Sequence, residues 1–186
     1  MSADFFDSVQ RQESVEDAEY YLDHEGADIN YRGINNSTAL MVAASNLDVS
    51  MLTFLLNRNP PALVDLEDDS NKTALNYVYT THSGHTEHQL LPAIKVLLAH
   101  RANPEHIDRR GVTILQWAAT NGYTGIAGYL LEQHVYADDK LWEALFLARG
   151  REHVPMERLL AERLEDRVSS SDDAERPLTE ILVRNG

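Results

Sequence analysis

The chain of 186 residues has no cysteine, so it has no disulfide, no thiolate zinc site and no cysteine nucleophile. It lacks any run approaching the roughly 18 apolar residues that a membrane-spanning helix requires. Its opening, Met-Ser-Ala-Asp-Phe-Phe-Asp, has no basic segment followed by an apolar core, so no secretory signal is expected. Neither a Gly-x-Ser-x-Gly elbow nor a phosphate-cradling glycine loop occurs. Basic residues are scarce: 16 Lys and Arg face 30 Asp and Glu, a formal net charge of −14. The imbalance is concentrated, since residues 1–30 hold nine acids and one arginine. Such a field repels phosphate backbones and disfavours nucleic acid as a partner, while favouring a basic protein. Cytoplasmic residence is expected, with the nucleus and delivery into a host cell left open.

What is present is repetition. Three threonines open similar stretches: Thr38-Ala-Leu-Met-Val-Ala-Ala, Thr73-Ala-Leu-Asn-Tyr-Val-Tyr and Thr113-Ile-Leu-Gln-Trp-Ala-Ala. A threonine hydroxyl caps a helix, and Leu115, Ala118 and Ala119 recur at the three- and four-residue intervals of one helical face. Asn121-Gly122 then breaks the helix where a left-handed residue is cheap. A second apolar face follows at Ile126, Ala127, Leu130 and Leu131. Paired leucines close the second helices at Leu55-Leu56, Leu97-Leu98 and Leu130-Leu131. Each unit therefore reads as two short helices folded on one another.

The outer units are recognised by spacing. In the first, Phe6 and Val9 are expected to face inward, followed by Val15, Ala18, Tyr21 and Leu22. Near the C-terminus, Leu141, Trp142, Leu145 and Phe146, then Met156, Leu159, Leu160 and Leu164, supply a closing hairpin. Between Leu56 and the third unit stands Asn-Arg-Asn-Pro-Pro, and His100-Arg101-Ala102-Asn103-Pro104 puts arginine where glycine suits a left-handed turn. The segment Thr81-His-Ser-Gly-His-Thr-Glu-His88 widens one interhelical turn. From residue 168 an acidic serine-rich linker is expected, then a short helix opened by Pro177 with the stripe Leu178, Ile181, Leu182 and Val183. That helix docks on the closing unit or engages another protein.

The threonine-led hairpins, with the loop exit Gly26-Ala27-Asp28-Ile29-Asn30, resemble ankyrin repeats over residues 3 to about 165. The likeness is strongest at Thr38–Leu56 and Gly111–Leu131. The proline that follows threonine in that family is replaced by Ala39, Ala74 and Ile114, and its histidine by Met41, Asn76 and Gln116. The resemblance implies an all-α fold, an α-solenoid of about five ankyrin-like helix-turn-helix repeats with loop or β-hairpin fingers. Units are expected at about 3–33, 34–68, 69–108, 109–138 and 139–167. It also implies a protein-binding module and no enzyme. The outward position of each first helix falls on Val42, Tyr77 and Trp117, with Ser8 a weaker equivalent. The aromatic rings serve either a partner or packing on neighbouring helices. Beside them the fingers offer Tyr31, Arg32, Leu66, Glu67, Asp68, Asp69, Arg109 and Arg110, one finger acidic and another basic.

Within this class the expected role is an adaptor, an inhibitor or immunity-type protein, or an escort for a basic partner, acting as a monomer or weak oligomer. The alternatives are a host-directed effector adaptor and, less favoured, a metal-dependent hydrolase using the His82–His88 loop. No cofactor or metal is expected: His82, His85 and His88 form the only metal-like group, and a solvated loop accounts for them without the fixed geometry a zinc hydrolase needs. Asn36-Ser37-Thr38 and Asn71-Lys72-Thr73 match the glycosylation sequon, yet turn and cap roles explain both. Ser169 and Ser170, each three residues before an aspartate, resemble acidophilic-kinase sites.

Overall fold

A computed structural model describes residues 1–81 and 84–170, with side chains through 167. Within them lie ten α-helices and a 3-10 turn at Ile34–Asn36, and no strand. The helices are α1 (Ser2–Gln10), α2 (Val15–Asp23), α3 (Ala39–Ser45), α4 (Val49–Asn57), α5 (Ala74–Thr80), α6 (Glu87–Ala99), α7 (Ile114–Asn121), α8 (Thr124–Gln133), α9 (Asp138–Gly150) and α10 (Val154–Ser170). They fall into two compact units, Met1–Ile114 and the residues from Leu115 onward. Among the described residues no helix is long and apolar enough to cross a membrane.

Side chains that cap better than they continue a helix set the starts. Ser14 Oγ accepts from Asp17 N, Thr38 Oγ1 from Met41 N, Asp48 Oδ1 from Met51 N and Thr73 Oγ1 from Asn76 N. Thr86 pairs with Gln89 in a capping box at α6. Left-handed residues set the interhelical turns: Gln12, Leu47 and Gly122 have φ of 58°, 56° and 73°. At Gly122 glycine is doubly required, because a Cβ would lie 2.8 Å from His153 Nδ1. That imidazole holds the second unit through Nε2, 3.0 Å from the Thr120 carbonyl.

In the first unit the hairpins α1/α2, α3/α4 and α5/α6 stack as two rows, α1–α3–α5 and α2–α4–α6. Phe5, Val9, Ala18, Leu40, Ala43, Ala44, Met51, Leu52, Leu55, Leu75, Val78, Leu90, Ile94 and Leu97 fill the space between them. Each such large aliphatic side chain withdrawn from water contributes about 1.5–3 kcal/mol, which short helices of seven to nine residues need, being marginal alone. In the second unit α9 pairs with α10 and α8 packs on α10, around Ile126, Leu130, Leu141, Met156 and Leu160.

Where second helices end, Gly26 and Arg101 are left-handed, at φ of 63° and 66°. A non-glycine residue there costs about 1–2 kcal/mol. Pro61 holds the corresponding place between them, and proline cannot turn that way. Arg58 goes extended instead, yet the Ala62 amide still donates to the Leu55 carbonyl at 3.0 Å, as Ala102 does to Leu97.

Several expectations are corrected. Phe146 does not face the core; it is 77% exposed. Its neighbours Leu141, Ala144, Leu145 and Ala148 already fill the buried face of α9, and residue 146 falls on the flank. Leu159, Val15, Tyr21 and Leu22 are only half-buried, whereas Phe5, not expected inside, is fully enclosed. Ser8 points inward, its hydroxyl donating to the Phe5 carbonyl at 2.8 Å. The fingers are successive turns with no strand among the described residues. Helix α10 runs on to Ser170, past the residue where the linker was expected to begin. The expected C-terminal helix and linker from 171, together with His82 and Ser83, lie outside the described residues.

Candidate functional site

One bond repeats from finger to finger in the first unit. Eight residues before Thr38 and Thr73 stand Asn30 and Asp65. Asn30 Oδ1 accepts from the Leu63 amide at 2.8 Å, and Asp65 Oδ1 from the Asn103 amide at 3.0 Å. Each finger is thereby stitched to the next. Two residues before each threonine the chain turns left-handed, at Asn36, Asn71 and Gly111. Asparagine tolerates that conformation better than most side chains, so both sequon asparagines have a turn role. Thr38 and Thr73 have the cap role described above.

Five residues before each threonine the first finger has Gly33 and the others Asp68 and Asp108. Gly33 is needed for space, since a Cβ there would meet the Phe6 ring at 2.6 Å. Asp68 Oδ1 accepts from the amides of Ser70 and Lys72 at 2.7 and 2.8 Å, and Oδ2 from the Tyr77 hydroxyl at 2.7 Å. Asp108 Oδ1 accepts from the Arg110 amide at 2.9 Å, and Oδ2 from Arg110 Nε at 2.8 Å. Burial pushes the Asp108 carboxyl up, but Arg110, through side chain, backbone and charge, outweighs it and holds the group below its ordinary value.

The expected contact residues sort by this geometry. Asp68, expected among the contact residues that the fingers offer, is buried at 8% exposure and turns its carboxylate to its own finger and to Tyr77 of α5. Asp69 is exposed and accepts from Asn36 Nδ2 at 2.6 Å. Arg32 reaches the Asn36 and Glu67 carbonyls at 3.1 and 2.5 Å, and Glu67 Oε1 meets His106 Nε2 at 3.0 Å. Tyr31 sets its ring at 64° to Phe6, with centroids 6.2 Å apart. Leu66 is half-buried, while Arg109 is exposed, as is Arg110 beyond its bond to Asp108.

Val42 and Tyr77 line a single groove of about 350 Å³. Phe6, Met41 and Val42 give it an apolar floor; Gln10, Asn35, Ser45 and Asn46 give it polar edges. Ile34, 77% exposed, stands at its side. Tyr77 works in both directions. Its hydroxyl braces Asp68, and Lys72 Nζ lies 5.3 Å from the ring centroid. Burial, then donation to Asp68, raises the phenol above its ordinary value. Phe6, Ile34 and Met41 are wall residues that the expected contact set did not include; Phe6 reads as core, Met41 as the replacement of the family histidine, and Ile34 as part of a finger.

In the second unit Trp117 is half-buried, its ring at 61° to Tyr123 with centroids 5.1 Å apart. Gln116 Nε2 donates to Glu143 at 2.6 Å, joining α7 to α9. The equivalent Asn76 in the first unit is buried: its oxygen accepts from Thr73 N and Oγ1, and its Nδ2 donates to the Tyr79 hydroxyl at 2.6 Å. Tyr79 passes the chain on to the Val112 carbonyl at 3.3 Å, and burial drives its pKa to about 12. Asparagine thus bridges to the next loop through a tyrosine. Met41, the third equivalent, only closes on its own Thr38 amide, 3.4 Å from its sulfur.

Among the described residues no three His, Asp or Glu side chains are grouped to hold a metal ion. His82 of the expected loop group lies outside those residues. Residues 11–56, from the turn after α1 through α4, match the family model described as ankyrin repeats (many copies). Capped hairpins stacked in rows and fingers stitched loop to loop agree with that match, and residues 11–56 are ankyrin repeats.

Proposed function

We propose that the chain is a non-catalytic protein-binding module whose first unit takes a basic segment of another protein into the groove lined by Val42 and Tyr77, with the fingers beside it. One observation carries the reading: positions that the repeat pattern marks as outward-facing converge on a concavity with an apolar floor and polar edges. Apolar area at the floor supplies affinity, and the edges supply orientation. The charge of the partner follows from the first hairpin, where nine acids face one arginine over residues 1–30. Asp4, Asp7, Glu16, Asp17 and Glu19 are exposed there. Arg109 on the third finger and Asp69 on the second present opposite signs and fix the direction of a bound segment. An adaptor, an inhibitor of a basic protein or an escort fits these features.

The test compares lysine-rich peptides carrying one central leucine with glutamate-rich counterparts, by calorimetry at low and raised salt. The lysine-rich set binds, more weakly as salt rises. Val42→Arg, on a half-exposed wall, weakens binding by about tenfold or more without moving the melting temperature. Equal binding of both peptide sets, or full binding by Val42→Arg, overturns the reading.

A further inference from the structure

The ten residues that line the groove of the first unit include no Asp, Glu, Lys or Arg. Its polar edges are Gln10 at the end of α1, Asn35 and Ser37 on the first finger, and Ser45 and Asn46 at the end of α3. Three of these are carboxamides, and none of the three has a side-chain hydrogen bond among the described residues. The equivalent asparagine of the second unit is tied down. Four residues after Trp117, Asn121 folds its Nδ2 back onto the Trp117 carbonyl at 2.8 Å. Asn46 stands four residues after Val42, but there Ser45 Oγ already donates to the Val42 carbonyl at 2.8 Å. The Asn46 carboxamide is left at the groove. Charge begins outside it. Asp7 is exposed and neighbours Gln10 across one turn of α1. On the finger side the Asp69 amide donates to the Asn35 carbonyl at 3.0 Å, which sets an exposed carboxylate beside Asn35.

We propose that the groove takes an extended, uncharged stretch of its partner by the main chain, with the partner's basic residues held outside it by Asp7 and Asp69. This rests on the basic-segment reading above and adds which part of the segment enters. A carboxamide offers an acceptor oxygen and two N–H donors, the complement of a peptide unit. A helical segment pairs its own N–H and C=O groups internally and leaves Gln10, Asn35 and Asn46 unanswered, whereas an extended one presents both. Alternate side chains of an extended segment point to opposite sides. One aliphatic side chain therefore meets Phe6, Met41 and Val42, while its neighbours turn out toward the acids.

Calorimetry with a lysine-rich peptide carrying one central leucine tests this. N-methylating the leucine amide and the one after it weakens binding by at least about tenfold, and the same change at the end of the peptide alters it by less than about twofold. Asn46→Ala costs about fivefold with the parent peptide and nothing further with the methylated one, and the melting temperature stays in place. An all-lysine peptide binds at least about tenfold more weakly than the parent. Methylated and parent peptides that bind within about twofold of one another overturn main-chain recognition, as does a lactam-bridged helical form that binds as tightly as the parent; in both cases the groove keeps its basic partner. Equal binding by the all-lysine peptide overturns the uncharged centre. If the parent peptide does not bind at all, the groove reading itself falls, and this inference with it.

Discussion

Asp68 and Asp108 occupy the same place in successive fingers, forty residues apart, and meet different partners. Both turn one oxygen to the amide two residues on, the bond that shapes the loop tip. The second oxygen is where they diverge. Asp68 takes the hydroxyl of Tyr77, a residue of the next helix that also walls the groove. Asp108 takes the guanidinium of Arg110 in its own loop, and that side chain stays 62% exposed. One carboxylate therefore ties the finger to the binding face, and the other ties it to itself. The loop amides fix the aspartate through one oxygen, and the other oxygen takes a different partner in each finger.

The sharpest way to break this comparison is Asp68→Ala. It strands two loop amides and a phenol in partly buried surroundings, and stability falls by about 3 kcal/mol in urea denaturation. A loss under about 1 kcal/mol would show that the tip does not depend on the carboxylate. Next comes alkaline titration of the strand of bonds behind the fingers. Tyr79 has its pKa raised from 10 to about 12, so its contribution is complete below pH 10 and is lost as pH rises toward 12. Stability should drop by about 2–3 kcal/mol across that window, and Tyr79→Phe should flatten the drop. Phenolate absorbance during the titration checks the assignment.

Tyr77→Phe is milder and separates bracing from binding. It removes only the bond to Asp68, costing about 1 kcal/mol, while the groove wall keeps its ring. Basic-peptide affinity should change by less than about threefold; a tenfold loss would place the hydroxyl in the contact itself. Smallest is Arg110→Ala, at about 0.5–1 kcal/mol near neutral pH, because that cation is largely exposed. Its mark is on the acid limb. Asp108 has a depressed pKa, so its stabilisation is present above the unfolded value near 4 and lost as pH falls through the folded one. Without Arg110, the acid unfolding midpoint moves to higher pH.

Much of the fold was legible because its signals are local. Thr38 and Thr73 announced caps, Gly122 announced a break, and Ile126, Ala127, Leu130 and Leu131 announced a buried face; all stand where the spacing put them. Arg101 was legible as a strained left-handed residue. The misses share a cause. Ser8, Phe5 and Phe146 lie in end hairpins without the threonine motif, so no cap fixed the phase of the helical face, and a shift of one residue turns a side chain by about 100°. The groove was half legible. Val42 and Tyr77 follow from the repeat, whereas Phe6 and Ile34 arrive from another helix and from a finger tip.

By itself the sequence determined the hairpins, their caps and their left-handed turns, because each of these rests on contacts within a few residues. It also determined the acidity of the first thirty residues, which is a matter of composition. Only tertiary structure decided that Asp68 faces Tyr77 and that Asn30 and Asp65 stitch one finger to the next. It alone left Phe146 in water. Those outcomes depend on which elements become neighbours, and burial and hydrogen bonding between distant segments have no counterpart in the spacing along one helix.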